Sequence, residues 1–203
     1  MENPSIRAFG ATLPSPAALK EGIASLSRGV YFKEASLDMM LSILTESTAQ
    51  MSGIERVSIW ALTDHQQELR CIDLYELSAR RHSKGECIKA SQYPVYFHAL
   101  RGGSSISADD AYIHPLTTEF AADYFPLYGV TAVLDTPIHV RGELQGVLCL
   151  EQVGSRHQWT SAHGLFAHAV ANLITLALVE YEADEARGQA HAADLRLKAA
   201  FGT

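Results

Sequence analysis

Long uninterrupted apolar runs, paired cysteines and blocks of basic residues are all missing from this chain of 203 residues. Each absence excludes something. The most apolar stretch, LFAHAVANLITLALVEY, is broken by His168 and Asn172. It falls short of the roughly 20 apolar residues of a membrane span and reads as a buried helix. The first residues, MENPSIRAFGATLPSP, lack the basic start and apolar run of a secretion signal. Cys71, Cys87 and Cys149 are odd in number and widely spaced, which suits reduced thiols in a cytoplasmic protein. With no C-x-x-C pair, a cysteine-built zinc site is not expected. The 16 Lys and Arg against 23 Asp and Glu give a net charge of −7, a poor basis for gripping phosphate backbones. Nucleic acid is therefore not an expected partner, nor is a membrane. The nine histidines form no H-x-x-x-H or H-E-x-x-H pattern, and no phosphate-cradling glycine loop or nucleophile elbow occurs.

What remains is enough apolar material, 47% of residues against 19% charged, for one sizeable domain with a helical appendage. Ser15-Pro16 opens a short helix reaching about Ser27. Ser36 caps a second, in which Leu37, Met40, Leu41, Leu44 and Met51 form an apolar stripe before Gly53. The pattern then turns to short β-rich segments: RVSIWALT, ELRCIDLYEL, SSISA, and a long hairpin VTAVLDTPIHV–RG–ELQGVLCLEQV. A two-residue turn at Arg141-Gly142 sets Cys149 opposite Leu134, and Asp135 opposite Leu148. Both hairpin strands carry apolar side chains on both faces, so the sheet is expected to be covered on each side. A last helix, capped at Thr160 or Ser161, thins into EYEADEARGQAHAADLRLKAA. There Ala183, Ala190 and Leu197 recur every seven residues, a weak coiled-coil signal. The organisation expected is an extension over 1–35, a domain over 36–181 and a linker helix over 182–203.

Between the second strand and the hairpin lie about fifty residues in which YPVYFHALR and HPLTTEFAADYF read as short helices. Such an insertion over one sheet face suits a lidded pocket. Its densest polar stretch, ISADDAYIHPLTTEF, holds Asp109, Asp110, His114 and Glu119. These residues shape turns and cap a helix, contact a small ligand, or hold a metal; a metal needs three or four of them to converge. Tyr96 and Tyr124 offer flat walls with polar tips, equally apt for a pocket or a core. Asp135, set in an apolar strand, anchors either a ligand or the backbone of the insertion. The ligand-binding candidates are thus Tyr96, Asp109, His114, Glu119, Tyr124 and Asp135. No catalytic or metal residues are nominated, and Cys149 reads as a small buried hydrophobe.

The order helix, two strands, insertion, hairpin, long helix resembles a GAF domain. The segments QYPVYFHAL, ISADDAYIHPLTTEF, YGVTAVLDTPIHVRGELQGVLCLEQVG and RHQWTSAHGLFAHAVANLITLAL are similar to bacterial GAF domains that stand ahead of histidine-kinase or diguanylate-cyclase output domains. The resemblance covers roughly Ser36 to Tyr181. It implies an α+β fold with a six-stranded antiparallel sheet. The terminal helices would lie on one face, and a small-molecule pocket behind the insertion on the other. It also implies homodimers through the N- and C-terminal helices and a non-catalytic sensory role. The cyclic-nucleotide signature with its Asn-Lys pair is missing, as is the Cys-His pair of bilin binders, and no haem motif is present. The cofactor and ligand are therefore left unassigned. The alternatives are a small GAF-fold reductase using a cysteine, and a ligand-free dimerisation module.

Overall fold

The computed structural model describes residues 35–155 and 158–201, together with residues 15, 17, 20, 21 and 24. Of the helix expected over residues 16–27, residues 17, 20, 21 and 24 are helical; the rest lies outside the described residues. Helix α1 (Leu37–Ser52) begins where the Ser36 side chain accepts the Met39 N–H and ends on Gly53, whose φ of 70° lets its N–H return to Ala49. Its buried stripe includes Met40, Leu41 and Leu44. Strands β1 (Arg56–Thr63), β2 (Glu68–Glu76), β3 (Arg81–Ser83) and β4 (Cys87–Lys89) follow. Next come α2 (Pro94–Arg101), β5 (Ile106–Ala108), a 3₁₀ turn (Thr118–Ala122), α3 (Tyr124–Tyr128), β6 (Val130–Val140), β7 (Glu143–Val153) and α4 (Ser161–Phe201).

The antiparallel sheet runs β3-β2-β1-β7-β6-β5, with β4 also paired to β2. It has seven strands rather than the expected six, for a local reason. β3 lies along Leu74–Glu76 and β4 along Glu68–Arg70, so both share one edge of β2. Gly85, at φ 96°, lies in the break between them. The sheet is six strands wide with one margin cut in two. The expected helix over HPLTTEFAADYF is likewise divided: a 3₁₀ turn stops at Asp123, whose carboxylate accepts the Tyr124 N–H and starts α3.

The hairpin turn forms at Arg141-Gly142, both at positive φ, with Val140 opposite Glu143. The expected register does not persist. Ile138 pairs with Gly146 and His139 with Leu144, leaving Gln145 as an extra residue. This bulge shifts the pairs from Ile138 back to Ala132 by one, so Asp135 faces Cys149 and Leu134 faces Leu150. A one-residue shift exchanges sheet faces; here it turns Cys149 to the same side as Asp135. Gly146, next to the bulge, passes so close to β1 that a Cβ would sit 2.1 Å from the Trp60 carbonyl oxygen.

One face of the sheet, with Val57, Ile59, Leu134, Leu148 and Leu150, packs on α1 and on Phe166, Val170 and Ile174 of α4. The other, with Leu69, Val133 and Val147, packs under the insertion's Tyr96, Phe97, Phe120 and Phe125. α4 is 41 residues long, about 60 Å at the α-helical rise. By length and composition its Ser161–Asp194 portion is apolar enough to cross a membrane, which the residue-by-residue reading did not anticipate. Phe166, Val170 and Ile174, which supply much of that apolarity, are the residues packed on the sheet.

Candidate functional site

Behind the insertion lies a cavity of about 30 Å³ whose lining includes Trp60, Tyr96, Thr117, Phe120, Tyr124, Asp135, Cys149 and Glu151. That is room for one or two waters. Strand alternation explains the floor: residues 147, 149 and 151 of β7 point to one side, and the bulge-set register puts residues 133 and 135 of β6 beside them. The insertion supplies the roof through α2, the 3₁₀ turn and α3. Phe120 stacks on Tyr93 at 4.0 Å between centroids and meets Tyr96 and Tyr124 edge-on.

A bond to one of the two lining acids joins roof to floor. The Tyr96 hydroxyl donates to Asp135 over 2.9 Å. Burial pushes the Asp135 carboxyl up to about 7, although the Cys149 thiol and the Tyr96 hydroxyl beside it pull the other way. Burial, and then Asp135, hold Tyr96 far above its ordinary value. At the other end Glu151 accepts from Arg56 Nε over 2.8 Å, and Arg56 also reaches Glu76 at 3.3 Å. The guanidinium lies 4.5 Å from the centre of the Tyr128 ring. Burial works against the Arg56 charge, and Glu151 more than restores it. The Tyr124 hydroxyl, on a residue 8% exposed, finds no hydrogen-bond partner of good geometry. Its pKa is raised by burial and then by Glu151, while Arg56 opposes.

Of the six candidates from the sequence, Tyr96, Tyr124 and Asp135 line the cavity. The other three serve backbone groups. Asp109 accepts the Trp159 N–H at 2.9 Å, and the Trp159 indole donates to the Ala108 carbonyl, fastening the end of β5 to the start of α4. His114 Nδ1 accepts the Leu116 N–H. Glu119 accepts the N–H groups of Val95 and Tyr96 at 3.2 and 3.0 Å. Tyr93 gives α2 no side-chain cap, so Glu119 serves as its cap from a distant part of the chain. Replacing Glu119 with Ala is expected to cost about 1 kcal/mol in urea unfolding, with Gln recovering part of it. An unchanged midpoint for Glu119→Ala would remove the capping role. Among the described residues, no group of three His, Cys, Asp or Glu is placed to hold a metal ion.

Trp60, Phe120, Glu151 and Arg56 were not singled out from sequence. For Glu151 a signal existed, since it lies two residues beyond Cys149 on a strand. Nothing local points from Arg56 to Glu151, 95 residues away.

The profile of a family described as GAF domain matches residues 36–178. No curated protein sequence matches the chain. Among solved structures the chain is similar to the GAF domain of a phosphoenolpyruvate-protein phosphotransferase (ptsP) from Coxiella burnetii. That likeness has a TM-score of 0.66 and 16% identity over 85% of this chain and 99% of that one. It is also similar to a phycocyanobilin-bound GAF domain from a cyanobacterial phytochrome, at TM-score 0.66 and 16% identity over 85% and 98%. A third is a free methionine-R-sulfoxide reductase from Neisseria meningitidis in complex with its substrate, at TM-score 0.66 and 14% identity over 85% and 95%. At such identities the likeness is one of fold.

Proposed function

This chain belongs to the GAF family, and from that premise we propose that it is a cytoplasmic sensory domain of a bacterial signalling protein. It binds a small molecule behind the insertion and relays the event through dimeric helices to a histidine-kinase or diguanylate-cyclase output. The observation that carries this reading is the Tyr96–Asp135 bond, which ties the roof of the cavity to its floor. A ligand reaching Asp135 competes with that bond and changes how the insertion sits. Ile106 of β5 pairs with Asp135, and Asp109, just past β5, holds the first residues leading into α4. The relay path is therefore short. It works only if the ligand prefers one helix arrangement over the other.

The outer side of α4 suits pairing with a second copy. Leu165, Ala169, Asn172, Leu176, Val179 and Ala183 recur at alternating spacings of four and three, and Leu165 is 73% exposed. Such spacing is that of a coiled-coil seam, in which a single Asn favours one register.

A spin label at Ala190, past the domain, tests the relay. Tyr96→Phe, which cuts the tether, is expected to shift the distance between the two labels of the dimer. An unchanged distribution would sink the relay, and a monomer would sink the dimer. The second reading, a dimerisation module with a self-filled pocket, is favoured by the small cavity volume. Native and denatured masses of the purified protein separate the two: an excess mass lost on denaturation opposes the filled pocket. A cysteine-based reductase has weak support. Burial pushes Cys71 up to about 12 and Cys149 higher than its ordinary range, leaving little thiolate to attack a substrate.

A further inference from the structure

The cavity walls specify a ligand chemistry. Among the described residues that line it there is no Lys or Arg, while two, Asp135 and Glu151, are acids. Glu151 is matched by Arg56, which stands behind it and over Tyr128, outside the lining. Among the described residues the Asp135 carboxylate, once ionised, has no such counter-charge and is held by the neutral Tyr96 and Cys149 donors. Beside these acids sits the buried Tyr124 hydroxyl, which the Arg56 guanidinium faces from behind and whose oxygen has lone-pair capacity for a further donor. Trp60, Tyr96 and Phe120 complete the enclosure, and aromatic faces attract cations once water is displaced. A ligand offering acceptors alone would confront two acids. A cationic donor would meet three acceptors, which is the number of N–H groups on a primary ammonium. At about 30 Å³, the space holds roughly two heavy atoms, one nitrogen and one carbon.

We propose that this cavity takes the ammonium head of a small primary amine. Its N–H groups are shared among Asp135, Glu151 and Tyr124, and its first carbon lies against the aromatic wall. The proposal rests on the pocket reading above and gives that pocket a ligand class. Binding requires an ionised Asp135. The titratable or charged groups facing that carboxyl are Tyr96 from α2 and Cys149 and Glu151 from β7. Tyr124 of α3 lines the same cavity beside Glu151, and Arg56 of β1 and Cys71 of β2 stand behind these.

The chain has two tryptophans, so Trp159→Phe leaves Trp60 as a reporter inside the site. Methylammonium chloride is titrated against Trp60 emission at pH 8.5, beside potassium chloride at equal ionic strength and beside methanol, a neutral molecule of similar size. The expected result is a saturable change with methylammonium alone. It should weaken tenfold or more in Asp135→Asn, and again in the unmodified site at pH 5.5. Tyr124→Phe, which removes the hydroxyl and keeps the ring, should weaken binding several-fold. No saturable response, an equal response to methanol, or undiminished binding in Asp135→Asn overturns the proposal. If native mass spectrometry finds a neutral or anionic occupant while methylammonium is silent, the amine class fails and the sensory pocket stands. If methylammonium binds and the Ala190 label distances stay fixed, the site stands and the relay fails.

Discussion

Replacing Asp135 with Asn should make the protein more stable than wild type above neutral pH and leave it little changed near pH 4. The sign follows from proton binding. The unfolded chain gives up this proton from about pH 4 upward, whereas burial keeps it on the folded protein until about pH 7. Over that window the unfolded state binds fewer protons, so stability falls as pH rises. Integrated across the window the loss is about 4 kcal/mol, at 1.36 kcal/mol for each pH interval of one. An Asn side chain does not titrate and still accepts the Tyr96 hydroxyl proton. Urea unfolding of both proteins at pH 4, 5.5, 7 and 8.5 gives the difference curve directly. It should climb in favour of the Asp135→Asn variant up to about pH 7 and then level off. A difference that stays flat across the series would mean that Asp135 ionises in the folded protein as it does in water.

The second large effect concerns Arg56. This residue is 5% exposed, and its guanidinium bonds Glu151, itself buried, and Glu76. Arg56→Met keeps the bulk of the side chain and removes the charge, leaving the buried Glu151 without its counter-charge and beside a second acid, Asp135. Breaking a buried pair from one side costs about 3–5 kcal/mol, a large share of a domain's total stability. Most of that cost is the uncompensated partner, so the double change Arg56→Met with Glu151→Met should recover much of it. Guanidinium unfolding of the two single variants and the double variant closes the cycle. If the double variant is as unstable as the sum of the singles, the loss comes from packing on Tyr128 rather than from charge.

These two groups illustrate what a sequence carries and what it does not. Ser36 and Gly53 mark the ends of α1 because capping is local chemistry, settled within three or four residues. The hairpin turn at Arg141-Gly142 is legible for the same reason. The bulge at Gln145 is not. An extra residue leaves no composition of its own, and its companion Gly146 is explained by the approach of Trp60 from another strand. That one residue decides whether Cys149 stands with Asp135 or on the opposite face. Asp135 itself was legible, since a lone carboxylate in an apolar strand needs a partner. Its partner Tyr96, 39 residues earlier, was named separately but not as a pair. The acid-rich segment admits several roles from sequence alone. Asp109 and Glu119 fit a turn, a cap or a ligand contact by composition, and in the fold each accepts backbone N–H groups of a distant helix or its approach. Composition reports the presence of a carboxylate; tertiary structure assigns its partner.

The divided margin of the sheet has a bearing on assembly. At one side β3 and β4 offer three residues each, and at the other β5 offers three. A neighbouring molecule seeking to extend the sheet by backbone hydrogen bonds meets interrupted ladders at both borders, a recognised protection against edge-to-edge aggregation. Self-association of the folded protein is thereby steered away from fibril-like zippering and toward side-chain contacts, where charge and register discriminate between partners. An assembly formed in that way gains selectivity, because its borders are ones that no foreign sheet can readily continue.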